Sequence, residues 1–135
     1  MKIYVAAKYE DREFVRELYR TLESKGHTIT CDWTNHDMYP EDVPEIKKGS
    51  YALDDIVGVQ ECDVLIAVFL WKRHQRGALI ELGAALGLNK PVLIIGHHES
   101  SSTLLQHPMI TRFSHVDDAL EAVRALSDMN DKVKV

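Results

Sequence analysis

Hydrophobic positions along the chain switch between two periods. Ile3-Tyr4-Val5-Ala6-Ala7 is a β-prone run that breaks at Lys8-Tyr9 and predicts a first strand. From Asp11 to Lys25 the apolar residues are Phe14, Val15, Leu18, Tyr19 and Leu22, the spacing of one buried helical face, and Gly26 stands where a stop belongs. His27 to Cys31 reads as a second short strand. Asp32 to Pro44 has no clear period and collects Asn, Asp and Pro, so it predicts a loop whose length favours a lid or binding role over a plain tether.

Ile46 to Glu61 predicts a second helix with Tyr51, Ile56 and Val59 inward, although Gly49 and Gly58 weaken it. The unbroken apolar run Val64 to Phe69 is the signature of a strand covered on both faces. A helix over Gly77 to Leu88, a strand over Val92 to Ile95, a loop from Gly96 to Pro108, a strand near Thr111 to Phe113 and a helix from Val116 to about Met129 complete the pattern. Asn130 to Val135 reads as a loose tail. Five strands and four helices predict an α/β fold over residues 1–129. The expected fold is a flavodoxin-like, doubly wound, five-stranded parallel sheet of order 2-1-3-4-5 with helices on both faces. Ligands of such sheets bind outside the strands' carboxyl ends where the winding reverses, here between strands one and three. The loops after Ala7, Phe69 and Ile95 are therefore expected to line the site.

Composition narrows the function classes. At 135 residues, 45% hydrophobic and 27% charged, the chain suits one core, and no apolar stretch is long enough to span a bilayer. The first apolar run is too short for a secretory signal, which predicts a soluble, cytoplasmic protein without membrane partners. Cys31 and Cys62 show no CxxC spacing and read as reduced thiols. Sixteen Lys and Arg against 21 Asp and Glu give a net charge of -5, and no basic cluster offsets it, which argues against long nucleic acid as a partner. A small anion is still compatible, because helix amino termini hold phosphates. The histidines lack HxxxH or HExxH spacing, so no metal is expected. The absence of GxGxxG, Walker and GxSxG motifs leaves dinucleotide, triphosphate and serine-hydrolase readings unsupported, and no cofactor is expected.

Glu81 is the leading candidate for chemistry. It falls near the first turn of the helix after strand three, facing the active edge, where the helix dipole would favour an ionised nucleophile. A stabilising helix-terminal acid fits the same position. Asp63 lies at the amino end of its strand and reads as a cap or turn former. Asp55, on a helix whose start approaches the active edge, reads as a proton donor or sugar ligand, with Asp54 competing. The first strand delivers Ala7, Lys8, Tyr9 and Arg12 to the mouth of the sheet. Tyr9 fits either a site residue or a ring packed under the loop, and Trp33 either stacks on a base or packs.

The combination Asp55-x7-Asp63-Val-Leu-Ile-Ala, Gly77-x3-Glu81-Leu82-Gly83-x-Ala85 and Lys90-Pro91-Val92 resembles the nucleoside 2-deoxyribosyltransferase superfamily, which includes the 2'-deoxynucleoside 5'-phosphate N-hydrolases. The likeness spans residues 1 to about 115. It implies cleavage or transfer at the N-glycosidic bond of a (deoxy)nucleoside or its 5'-monophosphate. Glu81 matches the nucleophile that forms a covalent ribosyl ester, Asp55 the acid or sugar ligand, and Tyr9 the tyrosine near the sugar. The likeness also implies that Lys8, Arg12 and backbone groups hold a phosphate, that Gly77 belongs to the substrate site, and that a neighbouring subunit's loop, Ser100 to Ser102, completes it. A homodimer or higher homo-oligomer follows, with Ser101 and Ser102 as substrate contacts. The chain departs from the family in Leu79-Ile80 before the glutamate. The competing readings are a domain that senses a nucleotide without turning it over, which a pocket narrowed by Leu79-Ile80 would suit, and an NAD-cleaving domain of the Toll/interleukin-receptor type.

Overall fold

The computed structural model describes residues 1–36, 39–70, 75–96 and 103–133. Five strands, β1 (Lys2–Ala6), β2 (Thr28–Ile29), β3 (Val64–Phe69), β4 (Val92–Gly96) and β5 (Ile110–Phe113), form one sheet in the order β2-β1-β3-β4-β5. Every pairing is parallel. This is the expected flavodoxin-like arrangement. Every residue of β3 is buried, as are Ile3 to Ala6 of β1 and Val92 to Ile95 of β4. Each such aliphatic side chain contributes roughly 1.5–3 kcal/mol by leaving water, so these three central strands hold the core.

Helices α1 (Arg12–Ser24), α2 (Glu45–Glu61), α3 (Arg76–Gly87) and α4 (Val116–Val133) cover the sheet. In α1, Val15, Leu18, Tyr19 and Leu22 are buried at the predicted spacing. The α2 and α3 helices pack against each other on one face of the sheet. On the opposite face a charged groove separates α4 from the end of α1. Asp63 has the turn-forming part expected of it: its carboxylate accepts from the Lys2 amide at 2.8 Å and its own amide donates to the Lys2 carbonyl at 2.7 Å.

Three local expectations are corrected. The second strand is only two residues long: the Thr30 amide still donates to the Ile3 carbonyl at 3.0 Å, but the Thr30 hydroxyl and the Cys31 thiol turn to α2. The Asp32 to Pro44 loop contains two short 3-10 turns, Trp33–Asn35 and Pro40–Asp42, the first capped by Asp32 accepting from the Thr34 amide at 2.9 Å. The last helix runs through Asn130 to Val133 instead of fraying at Met129, since nothing in Asn-Asp-Lys-Val breaks it. Among the described residues no helix is long and apolar enough to cross a membrane.

Candidate active site

At the carboxyl end of β1, backing the point where the winding reverses, four polar side chains from four segments converge. Tyr4 rises from β1 on the face covered by α2 and α3. Cys31 follows β2, Asp55 comes from the middle of α2, and Glu81 from α3. Close approach of α2 depends on Gly58. A Cβ there would stand 2.7 Å from Cys31 Cβ and 3.0 Å from Tyr4 Cδ2. The Thr30 hydroxyl donates to the Gly58 carbonyl at 2.7 Å and fastens the helix to the strand end. Asp55, one turn earlier, is positioned by that clamp.

Glu81 faces neither bulk solvent nor, among the described residues, a permanent guanidinium partner. Its Oε2 is buried without a hydrogen-bond partner among the described residues. Burial pushes its carboxyl up to about 8, the Tyr4 hydroxyl works against that shift, and the charge of Asp55 adds to it. The expected dipole effect does not govern here. Glu81 is the sixth residue of α3 and the first turn holds no acid, whereas the dipole's influence fades beyond that turn. Desolvation wins and favours the neutral form.

Tyr4 is fully buried, and burial together with the charges of Glu81 and Asp55 holds its phenol protonated far above the ordinary range. Its hydroxyl favours an ionised Glu81, yet it completes no hydrogen bond of ordinary geometry among the described residues. Asp55 is raised above the usual carboxylate range by burial, while the Cys31 thiol and His36 pull the other way and Asp54 adds to the rise. That assigns Asp55 to the pocket and Asp54 to the exposed side of the helix.

Asp55 also belongs to the wall of a neighbouring cavity of about 440 Å³, with Tyr9, His36, Lys48, Tyr51 and Ala52. This volume lies in the range of small-molecule sites, roughly 300–1,000 Å³. His36 and Tyr51 stack with ring centroids 3.8 Å apart, and Tyr9 donates its hydroxyl to the His36 carbonyl. Across the mouth, the Arg12 guanidinium lies 4.5 Å from the Tyr9 ring centroid and 5.5 Å from that of Tyr39. Among the described residues no group of three His, Cys, Asp or Glu side chains could hold a metal ion.

The predicted residues thus divide. Glu81 and Asp55 come together and Tyr9 lines the adjoining cavity, but the tyrosine beside Glu81 is Tyr4. Gly77 precedes Glu81 by one turn, where a Cβ would stand 4.0 Å from Glu81 Oε1, an ordinary contact that leaves the carboxylate unobstructed. Ala7 and Lys8 sit at the end of β1, half-buried. Arg12 is committed to the two tyrosine rings and to the Tyr9 carbonyl at 3.2 Å. Trp33 lies in the core with its Nε1 donating to the Val5 carbonyl at 2.7 Å, a packing position and not a wall of the cavity. Ser101 and Ser102 lie outside the described residues. Leu79 and Ile80 do not narrow the pocket: the helical rotation points Leu79 into a separate apolar groove and leaves Ile80 67% exposed. Tyr4, Lys48 and His36 were not read as site residues. Tyr4 hides inside a β-prone run and His36 in an aperiodic loop, but Lys48, Tyr51, Ala52 and Asp55 share one helical face, a pattern visible in sequence.

Residues 3–121 match the family model described as nucleoside 2-deoxyribosyltransferase. Among similar solved structures, a 2-deoxyribosyltransferase from Bacillus psychrosaccharolyticus superposes with a TM-score of 0.71 at 21% identity, covering 88% of this chain and 90% of that one. The CMP N-glycosidase BcmB of Clostridium botulinum superposes at 0.63 with 19% identity, covering 93% of this chain and 99% of that one. A search of curated proteins by sequence finds no match. With the family model spanning most of its length and its fold shared by both solved structures, the chain belongs to the nucleoside 2-deoxyribosyltransferase family.

Proposed function

We propose that the protein is a cytoplasmic enzyme that breaks the N-glycosidic bond of a (deoxy)nucleoside or nucleoside 5'-monophosphate, with Glu81 as nucleophile and Asp55 as acid. The reading rests chiefly on the Glu81 carboxyl, whose Oε2 is buried without a hydrogen-bond partner among the described residues and which is coupled to a second carboxyl that opens onto a substrate-sized cavity. Two carboxyls of unlike environment divide nucleophile and acid roles around an oxocarbenium-like transition state. Glu81 attacks C1', the C1'–N bond breaks as the Glu81–C1' ester bond forms, and the proton of Asp55 passes to the departing base. The ester is then opened by water, completing hydrolysis, or by a second base, completing transfer, and Asp55 recovers its proton from the attacking group. Tyr4 stabilises the carboxylate of Glu81 whenever that group is free.

The sensing alternative loses its support, since Leu79 and Ile80 turn away from Glu81. Incubation with a panel of deoxynucleosides and their monophosphates is expected to release free base, and Glu81→Ala to abolish release while the far-UV spectrum is unchanged. Intact substrate across the whole panel would refute the reading.

The working form is a homodimer joined through the α2/α3 face. Leu53 on α2 and Ile80 on α3 are 64% and 67% exposed, and Leu79, Leu82, Leu86 and Leu104 line an apolar groove of about 420 Å³ along α3. Large apolar side chains left exposed on adjacent helices mark an association surface.

A further inference from the structure

Cys31 touches the acid, and nothing in the mechanism so far uses it. Its Sγ lies 3.6 Å from Asp55 Oδ1 in donor geometry. The residue is anchored at three points. Its Cβ stands where a Cβ on Gly58 would come within 2.7 Å, its carbonyl accepts from the Tyr19 hydroxyl at 3.4 Å, and the preceding Thr30 is bonded to the Gly58 carbonyl. From the backbone so placed, the Sγ is directed at the Asp55 carboxyl.

We infer that Cys31 is a positioning residue for Asp55: its S–H donates to Oδ1, commits that oxygen as an acceptor, and leaves Oδ2 to carry the proton given to the departing base. The inference rests on the N-glycosidic reading for its catalytic meaning, whereas the contact itself stands without it. Burial keeps the thiol a donor at any working pH, since its ionisation is pushed up to about 12. A thiol suits the position chemically. It is a weak donor, so it orients the carboxyl while stabilising the ionised form less than a hydroxyl would, and Asp55 retains its proton more readily.

Other groups also act on Asp55. His36 from the loop after β2, Tyr4 from β1, Tyr19 from α1, Glu81 from α3 and Asp54 on its own helix all couple to it, and Tyr9, Lys48 and Tyr51 share its cavity. The test therefore varies the donor alone. Carboxyl-13C aspartate is incorporated into wild type, Cys31→Ser and Cys31→Ala, and the Asp55 resonance, assigned by Asp55→Asn, is titrated.

The titration midpoint is expected to rise in the order Ser, Cys, Ala, because donation to the ionised form weakens in that order. The kcat for base release is expected to fall roughly three- to tenfold in Cys31→Ala, the weight of one modest hydrogen bond. It should recover largely in Cys31→Ser, with KM little changed. Coincident midpoints in the three proteins overturn the inference, as does an ordered series in which Cys31→Ala keeps full kcat. An ordered series in a wild-type protein that releases no base retains the contact and refutes the catalytic reading instead.

Discussion

At Glu81, burial and catalysis pull in opposite directions. A nucleophile must be ionised, yet the site holds this carboxyl protonated up to about pH 8, against an ordinary value of 4.5. Between those values the folded chain binds a proton that the unfolded chain has released. Stability is therefore greatest below the unfolded value, declines as pH rises through the folded one, and is constant beyond it. Melting temperature is expected to drop between pH 5 and pH 8.5, and Glu81→Gln to flatten that profile and melt higher at the alkaline end. A Glu81→Gln protein with the wild-type slope would place the titration elsewhere. Activity should follow a bell, because the productive pair carries one proton, and turnover uses the arrangement in which that proton has moved from Glu81 to Asp55. The alkaline limb is expected near pH 8, where the pair loses its last proton, and its midpoint belongs to the pair and not to one residue. Glu81 was legible from its Gly-x3-Glu-Leu-Gly setting, but the sign of its shift was not, since desolvation depends on neighbours that the sequence does not place.

The α2 helix shows how one element serves three tasks. Its inward residues Gly58 and Val59 pack on the sheet, Lys48, Tyr51, Ala52 and Asp55 face the cavity, and Ile46 and Leu53 point to solvent. Two glycines that look alike in sequence have opposite environments. Around Gly49 a Cβ would meet nothing within 4 Å, so Gly49→Ala should stabilise by up to about 1 kcal/mol through helix propensity. At Gly58 the same gain is outweighed by contacts with Cys31 Cβ and the buried Tyr4 ring, where overpacking costs about 1–3 kcal/mol. Gly58→Ala should lower the denaturation midpoint and, by displacing α2, reduce activity, whereas Gly49→Ala raises the midpoint with activity kept. Equal effects of the two substitutions would disprove the close packing of α2 on β1. Helical periodicity placed the element correctly; which glycine was structural depended on what stood opposite each.

For the molecule as a whole, the exposed apolar residues of α2 and α3 predict association. Sedimentation of the purified protein is expected to give a dimer, and Leu53→Glu a monomer with its far-UV spectrum intact; a monomeric wild type at tens of micromolar would remove the proposed interface. The Glu81 helix lies at that face, so the monomeric variant should also lose most of its turnover.

The order of hydrophobic runs, read alone, determined the five parallel strands, their 2-1-3-4-5 arrangement and hence the edge proposed for chemistry. Right-handed crossovers and two-sided burial leave few other ways to fold such a pattern. The family resemblance carried by Asp55-x7-Asp63 and Gly77-x3-Glu81-Leu82-Gly83 likewise put forward Glu81 and Asp55 as candidates. Only the tertiary structure decided that Tyr4, not Tyr9, stands beside Glu81, that Trp33 packs, and that Cys31 reaches Asp55. Those facts depend on which side chains from distant segments meet across a sheet, and on how much water is excluded where they meet. Neither quantity has a period that a linear sequence displays.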